Sequence, residues 1–174
     1  MSEPQSPLNF KHTSRQSSLD FAGLPPFLRV LLSTDGTVTK SLEAYFWEKV
    51  EVQTLTQQYE PCAQALLNLG LAEGDGVLVR KVQLKGATTG AIYVAAESYV
   101  RPEVLPLSVR QGLEKGTVGI GELLRECGLE TYRKVLEYGL DDNSNSPSVW
   151  RTYVISMAQT PFIQITERFV LAHF

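Results

Sequence analysis

Residues 161–171 alternate with the two-residue period of a β-strand, and one of the two rows reads Ile163, Ile165, Glu167, Phe169 and Leu171. A carboxylate in an apolar row is costly to bury unless a cation or strong donors meet it. Residues 77–84 carry the same irregularity with the opposite sign, because Leu78, Arg80, Val82 and Leu84 share a row. The chain must therefore build a sheet whose apolar face accepts two opposite charges. From the pattern alone, Arg80 and Glu167 fit either an ion pair within the sheet or a ligand site.

The rest of the chain supplies partners for these strands. Prolines 25 and 26 open a helical pattern over residues 25–32, with Leu28, Leu31 and Leu32 on one side. A second helix is predicted over 38–46, and the free amides at its start can hold an anion. Alternation over 49–58 predicts a half-exposed strand, and residues 62–69 read as a looser helix. The strand with Arg80 is followed by residues 91–100 at hairpin spacing. After a brief helix at 107–113, glycines 116, 119 and 121 precede a helix at 122–126. They lack the spacing of a phosphate-binding fingerprint. The Tyr132, Val135 and Leu136 stripe predicts a helix over 131–138 closed by Gly139, and 141–148 reads as a polar loop. Strands at 149–157 and 162–171 finish the chain. About five strands, mostly joined as hairpins, predict an α+β fold with a single antiparallel β-sheet and helices packed on one face. Residues 1–22, rich in Ser, Gln and Pro, read as a flexible N-terminal arm, and 23–174 as one domain.

Composition narrows the function. The net charge is -3, from 16 basic and 19 acidic residues without a long run of either sign, so nothing favours nucleic acid or a membrane surface. A small-molecule partner and a monomer or weak dimer are expected. Cys62 and Cys127 stand far apart, and His12 and His173 lack metal-ligand company, so neither a metal nor a disulfide framework is signalled. Without a secretory or membrane-spanning stretch, the expected location is the cytosol. Trp47 and Trp150 read as core or rim residues.

The order of residues 35–40 (Asp-Gly-Thr-Val-Thr-Lys), 79–82 (Val-Arg-Lys-Val), Gly119-Ile120-Gly121 with Leu123-Leu124, and Ile165-Thr166-Glu167 resembles the chorismate lyase (chorismate pyruvate-lyase) family, in its divergent bacterial and archaeal branch. The resemblance covers about residues 25–174. It implies an antiparallel sheet flanked by helices, a ligand enclosed under two flaps, and conversion of chorismate to 4-hydroxybenzoate and pyruvate with no cofactor or metal. It places the carboxylate-binding arginine on Arg80 and the acid at the ring hydroxyl on Glu167. Substrate-binding amides fall near Val38 and at Ile120 and Gly121. Glu167 then acts as a base or as a positioning group. One departure stands out, since Glu97 replaces an arginine usual in the family, so that a second substrate carboxylate would face an acid. Arg101, Lys81 or Arg151 are possible replacements. The alternative function is a non-catalytic binding module for small aromatic carboxylates on the same fold.

Overall fold

A computed structural model describes residues 19–141 and 146–174. The arm expected over 1–22 lies outside the described residues as far as residue 18, while Leu19 and Phe21 pack against the core. The polar loop expected over 141–148 falls outside them at 142–145.

Six strands form one antiparallel sheet in the order β1-β2-β3-β6-β5-β4. They are β1 (Val50–Pro61), β2 (Gly76–Gly86), β3 (Ile92–Val100), β4 (Tyr132–Asp141), β5 (Ser148–Met157) and β6 (Thr160–Val170). Two three-stranded meanders are therefore joined through β3 and β6. Four helices lie over the inner face: α1 (Pro26–Ser33), α2 (Val38–Phe46), α3 (Leu107–Lys115) and α4 (Ile120–Glu126). The α+β architecture is as expected, with one strand more than predicted.

Two expected helices are absent. Residues 131–138 lie mostly in the edge strand β4, paired with β5 from Tyr132 opposite Ser156 to Asp141 opposite Ser148. A register shift between Val135 and Glu137 bulges the strand there. Neighbours Val135 and Leu136 are then both half-buried, which imitates the spacing of a helix stripe. Gly139 does not close a helix. A Cβ there would overlap the Trp150 indole on the neighbouring strand. Residues 62–69 are irregular apart from a 3-10 turn at Leu67–Leu69. Here Cys62, Leu69 and Leu71 cover Val77 and Val79 on the outer face of β2.

The inner face is ordered in rows across the strands. Leu84, Val94, Phe169 and Val149 align in one row, capped by Leu28, Leu31, Leu32 and Leu42 of α1 and α2. At the other end Leu78, Val100, Ile163 and Ile155 align beneath Val109, Leu113, Leu123 and Leu124 of α3 and α4. Between these apolar rows run two mixed ones, Val82-Ala96-Glu167-Arg151 and Arg80-Ser98-Ile165-Tyr153. Both charged residues singled out in the sequence thus lie in the gap between two hydrophobic clusters.

Candidate functional site

Arg80 and Glu167 are not cross-strand partners. β3 lies between them and they occupy adjacent rows, so their backbones stand roughly 10 Å apart sideways at ordinary strand spacing. Glu167 takes its counter-charge from its direct neighbour Arg151, whose Nε donates to Oε2 at 2.9 Å. The Tyr153 hydroxyl donates to Oε1 at 3.0 Å. The pair is deeply buried, Arg151 at 1% and Glu167 at 7% exposure. Burial is the largest single influence and acts to lower the Arg151 pKa, but Glu167, Tyr153 and Tyr138 together outweigh it and the net shift is upward. Burial and Glu167 together push the Tyr153 phenol far above its ordinary value.

Arg80 is equally buried, at 1% exposure, yet no carboxylate pairs with it among the described residues. Its Nη2 donates to Thr54 Oγ1 at 3.2 Å, to the Val118 carbonyl at 2.9 Å and, at 3.4 Å, to that of Gly116. These bonds, with Thr54 Oγ1 donating to the Gly116 carbonyl, tie the α3–α4 connection to the sheet. Arg80 Nε is buried with no partner. Burial lowers its pKa, although an arginine keeps its charge. A buried guanidinium with no carboxylate partner and a vacant donor is able to take an anion.

Such an anion has space. A small cavity of about 70 Å³, open to solvent at its mouth, lies between the inner face of the sheet and the helices. Arg80 and Glu167 both line it, as do Val38, Ile120 and Gly121, so all five residues singled out from the sequence meet at one cavity. Val82, Leu84, Ala96 and Ile165 supply an apolar floor. Val38 begins α2 and Ile120 begins α4. The first intrahelical bonds come from the Ser41 and Leu123 amides, so the amides before them point out of the helix ends.

The rim is held by three arginines that the motifs do not mark. Arg151 Nη1 donates to the Leu32 and Thr34 carbonyls, at 3.2 and 2.7 Å. Arg133 Nη1 donates to the Asp35 carbonyl, and Arg125 Nη2 to Thr37 Oγ1 at 2.6 Å. Residues 34–37 are thereby clasped by β5, β4 and α4. Arg133 also lines the cavity, close to Gly121, where a Cβ would stand 3.1 Å from Nη2.

Glu97 takes no part. It lies on the outer face, paired with Lys81 at 2.9 Å and accepting a hydrogen bond from Tyr99 at 2.8 Å. An arginine in this register would face outward too, so the expected conflict with a second carboxylate does not arise. Nor do the suggested replacements line the cavity: Lys81 is on the outer face, Arg101 pairs with Glu103, and Arg151 sits behind Glu167.

The family model described as Chorismate pyruvate-lyase Rv2949c-like matches residues 32–173. The chain belongs to this chorismate pyruvate-lyase family. A Mycobacterium leprae protein named chorismate pyruvate-lyase is 30% identical over 159 residues, spanning 84% of this chain and 75% of the relative. One of that name from Mycobacterium tuberculosis (strain ATCC 25618 / H37Rv) is 27% identical over 161 residues, spanning 84% and 81%. Among solved structures, PhnF from Mycobacterium smegmatis superposes with a TM-score of 0.60 at 14% identity, over 79% of this chain and 65% of that longer one. The PhnF effector domain alone gives 0.58 at 14% identity, over 78% and 88%. At this identity the likeness shows that the chorismate pyruvate-lyase family chain shares a fold with these domains. Among its described residues no helix is long and apolar enough to cross a membrane.

Proposed function

We propose that the chain is a cofactor-independent lyase that eliminates pyruvate from chorismate, or a close analogue, to leave 4-hydroxybenzoate. The observation that carries this reading is Arg80, a buried guanidinium without a counter-charge facing a cavity that ends at a fixed carboxylate. Arg80 takes the ring carboxylate through paired charge-assisted hydrogen bonds. Amides at Val38, Ile120 and Gly121 support that carboxylate. Glu167 accepts from the ring hydroxyl. The ring carbon bearing the hydroxyl gives up its proton, the ether bond breaks toward oxygen, and the departing enolpyruvyl group takes a proton at its methylene carbon to become pyruvate. Both Glu167 oxygens already receive donors, from Arg151 and Tyr153. This favours a fixed acceptor, with the proton passing within the substrate, over a carboxylate that shuttles it.

The test is pyruvate release from chorismate, followed through lactate dehydrogenase. The full chain is expected to turn over, and Arg80→Ala to lower kcat/KM on the order of 100-fold, the worth of the charged hydrogen bonds lost. Turnover no higher than in Arg80→Ala sinks the lyase reading. The likeness to PhnF effector domains favours one other reading, a module that binds aromatic carboxylates without reaction. Binding of 4-hydroxybenzoate without pyruvate release would establish it.

A further inference from the structure

Arg133 reaches the cavity from the side opposite Arg80. The two stand on β4 and β2, four strand spacings apart, or roughly 19 Å across a flat sheet. They are the two guanidiniums of the lining, and neither has a carboxylate partner among the described residues. Glu122 lines the rim as well, and its field acts on Lys40. Glu167, Tyr153 and Arg133 lie on one diagonal, each one strand over and one row down from the last. Tyr153 donates to Glu167. Burial is the main cause of the raised Tyr153 pKa, and the Arg133 charge acts against it, which places that guanidinium within electrostatic reach of the phenol. One Arg133 nitrogen is used on the Asp35 carbonyl, and a guanidinium keeps further donors. Gly121, lacking a side chain, admits it to the lining.

We propose that Arg133 forms a second anion subsite at the Glu167 end of the cavity, so that the site selects aromatic ligands with two carboxylates over those with one. This rests on the chorismate-type reading of the cavity. With the ring carboxylate on Arg80 and the hydroxyl at Glu167, the enolpyruvyl ether sits on the carbon beside the hydroxyl. Its own carboxylate then projects past Glu167 and Tyr153 toward Arg133. The same contact holds the group that leaves as pyruvate. The second cation thus comes from β4 and not from β3, where Glu97 stands.

Calorimetric titration of the full chain tests this with two unreactive probes. 3-(Carboxymethoxy)benzoate carries a ring carboxylate and an ether-linked one, and 3-methoxybenzoate lacks the second. The unaltered protein is expected to bind the diacid about 10- to 100-fold more tightly, the range of one charged hydrogen-bonded contact. Arg133→Met should abolish that preference, weakening the diacid far more than 3-methoxybenzoate, while Arg133→Lys keeps part of it because the charge remains. Melting curves of both variants establish that they are folded, and Arg133→Lys carries the test if Arg133→Met does not fold. A diacid preference that survives in Arg133→Met, or that is undiminished in Arg133→Lys, or equal weakening of both probes, overturns the assignment. Failure of the unaltered protein to bind either probe overturns it together with the reading it rests on. If chorismate yields no pyruvate but the preference remains dependent on Arg133, the lyase reading falls alone and the subsite stands.

Discussion

Glu167 and Arg151 form a buried pair whose members cannot be judged separately. Removing one partner leaves an unmatched charge in a dry interior, whereas removing both leaves none. Arg151→Met is therefore expected to destabilise the fold by about 3–5 kcal/mol, and the double change Arg151→Met with Glu167→Gln by clearly less. Denaturant melts of the four proteins check this, and additive losses would show the two to be independent. The sequence displayed Glu167 and Arg80 because each interrupts an apolar row whose period is visible. Arg151 was harder to see. It sits in a strand that reads as continuously apolar and polar by turns, and its importance comes from standing opposite Glu167, a register that no local pattern encodes. Arg133 was hidden for a further reason, since it fell in a segment whose helical stripe was false.

At the level of elements, the two helices over Arg80 depend on a close approach. Gly112 of α3 faces Leu123 of α4, and a Cβ on Gly112 would overlap the Leu123 side chain. Helix propensity alone predicts that Gly112→Ala gains about 1 kcal/mol. Overpacking against a buried leucine costs about 1–3 kcal/mol, so the net expectation is a loss of stability, read as a lower denaturation midpoint. A rise would mean that α4 shifts freely. The contrast with β4 is instructive. Helix α1 was legible because Leu28, Leu31 and Leu32 recur at helical spacing behind two prolines, and α2 because Val38, Leu42 and Phe46 fall on one helical face. In β4 a bulge put two adjacent residues on similar footing, and the true determinant was a vacant edge of β5.

Across the whole molecule, the cavity lies between two hydrophobic clusters, one beneath α1 and α2 and one beneath α3 and α4. A ligand that satisfies Arg80 would bridge them. At 100 times its dissociation constant, 4-hydroxybenzoate should stabilise the fold by about 2.7 kcal/mol. For a chain of this size that amounts to roughly 5–10 °C in Tm. Thermal melts with and without the acid, and with Arg80→Ala as control, read the effect directly. An unchanged Tm in the unaltered protein would mean that the cavity does not take this acid.

The clasp on residues 34–37 bears on how such a site can vary. Arg151 grips the carbonyl of Thr34, and Arg133 that of Asp35, so both hold the main chain and not a side chain. Only Thr37 is held through its own hydroxyl. The Thr34 hydroxyl accepts a hydrogen bond from the Gly36 amide at 3.0 Å and steadies the turn itself, whereas the contacts described at Asp35 use only its main chain. Substitution of the Asp35 side chain can therefore leave the main-chain course of the mouth unchanged.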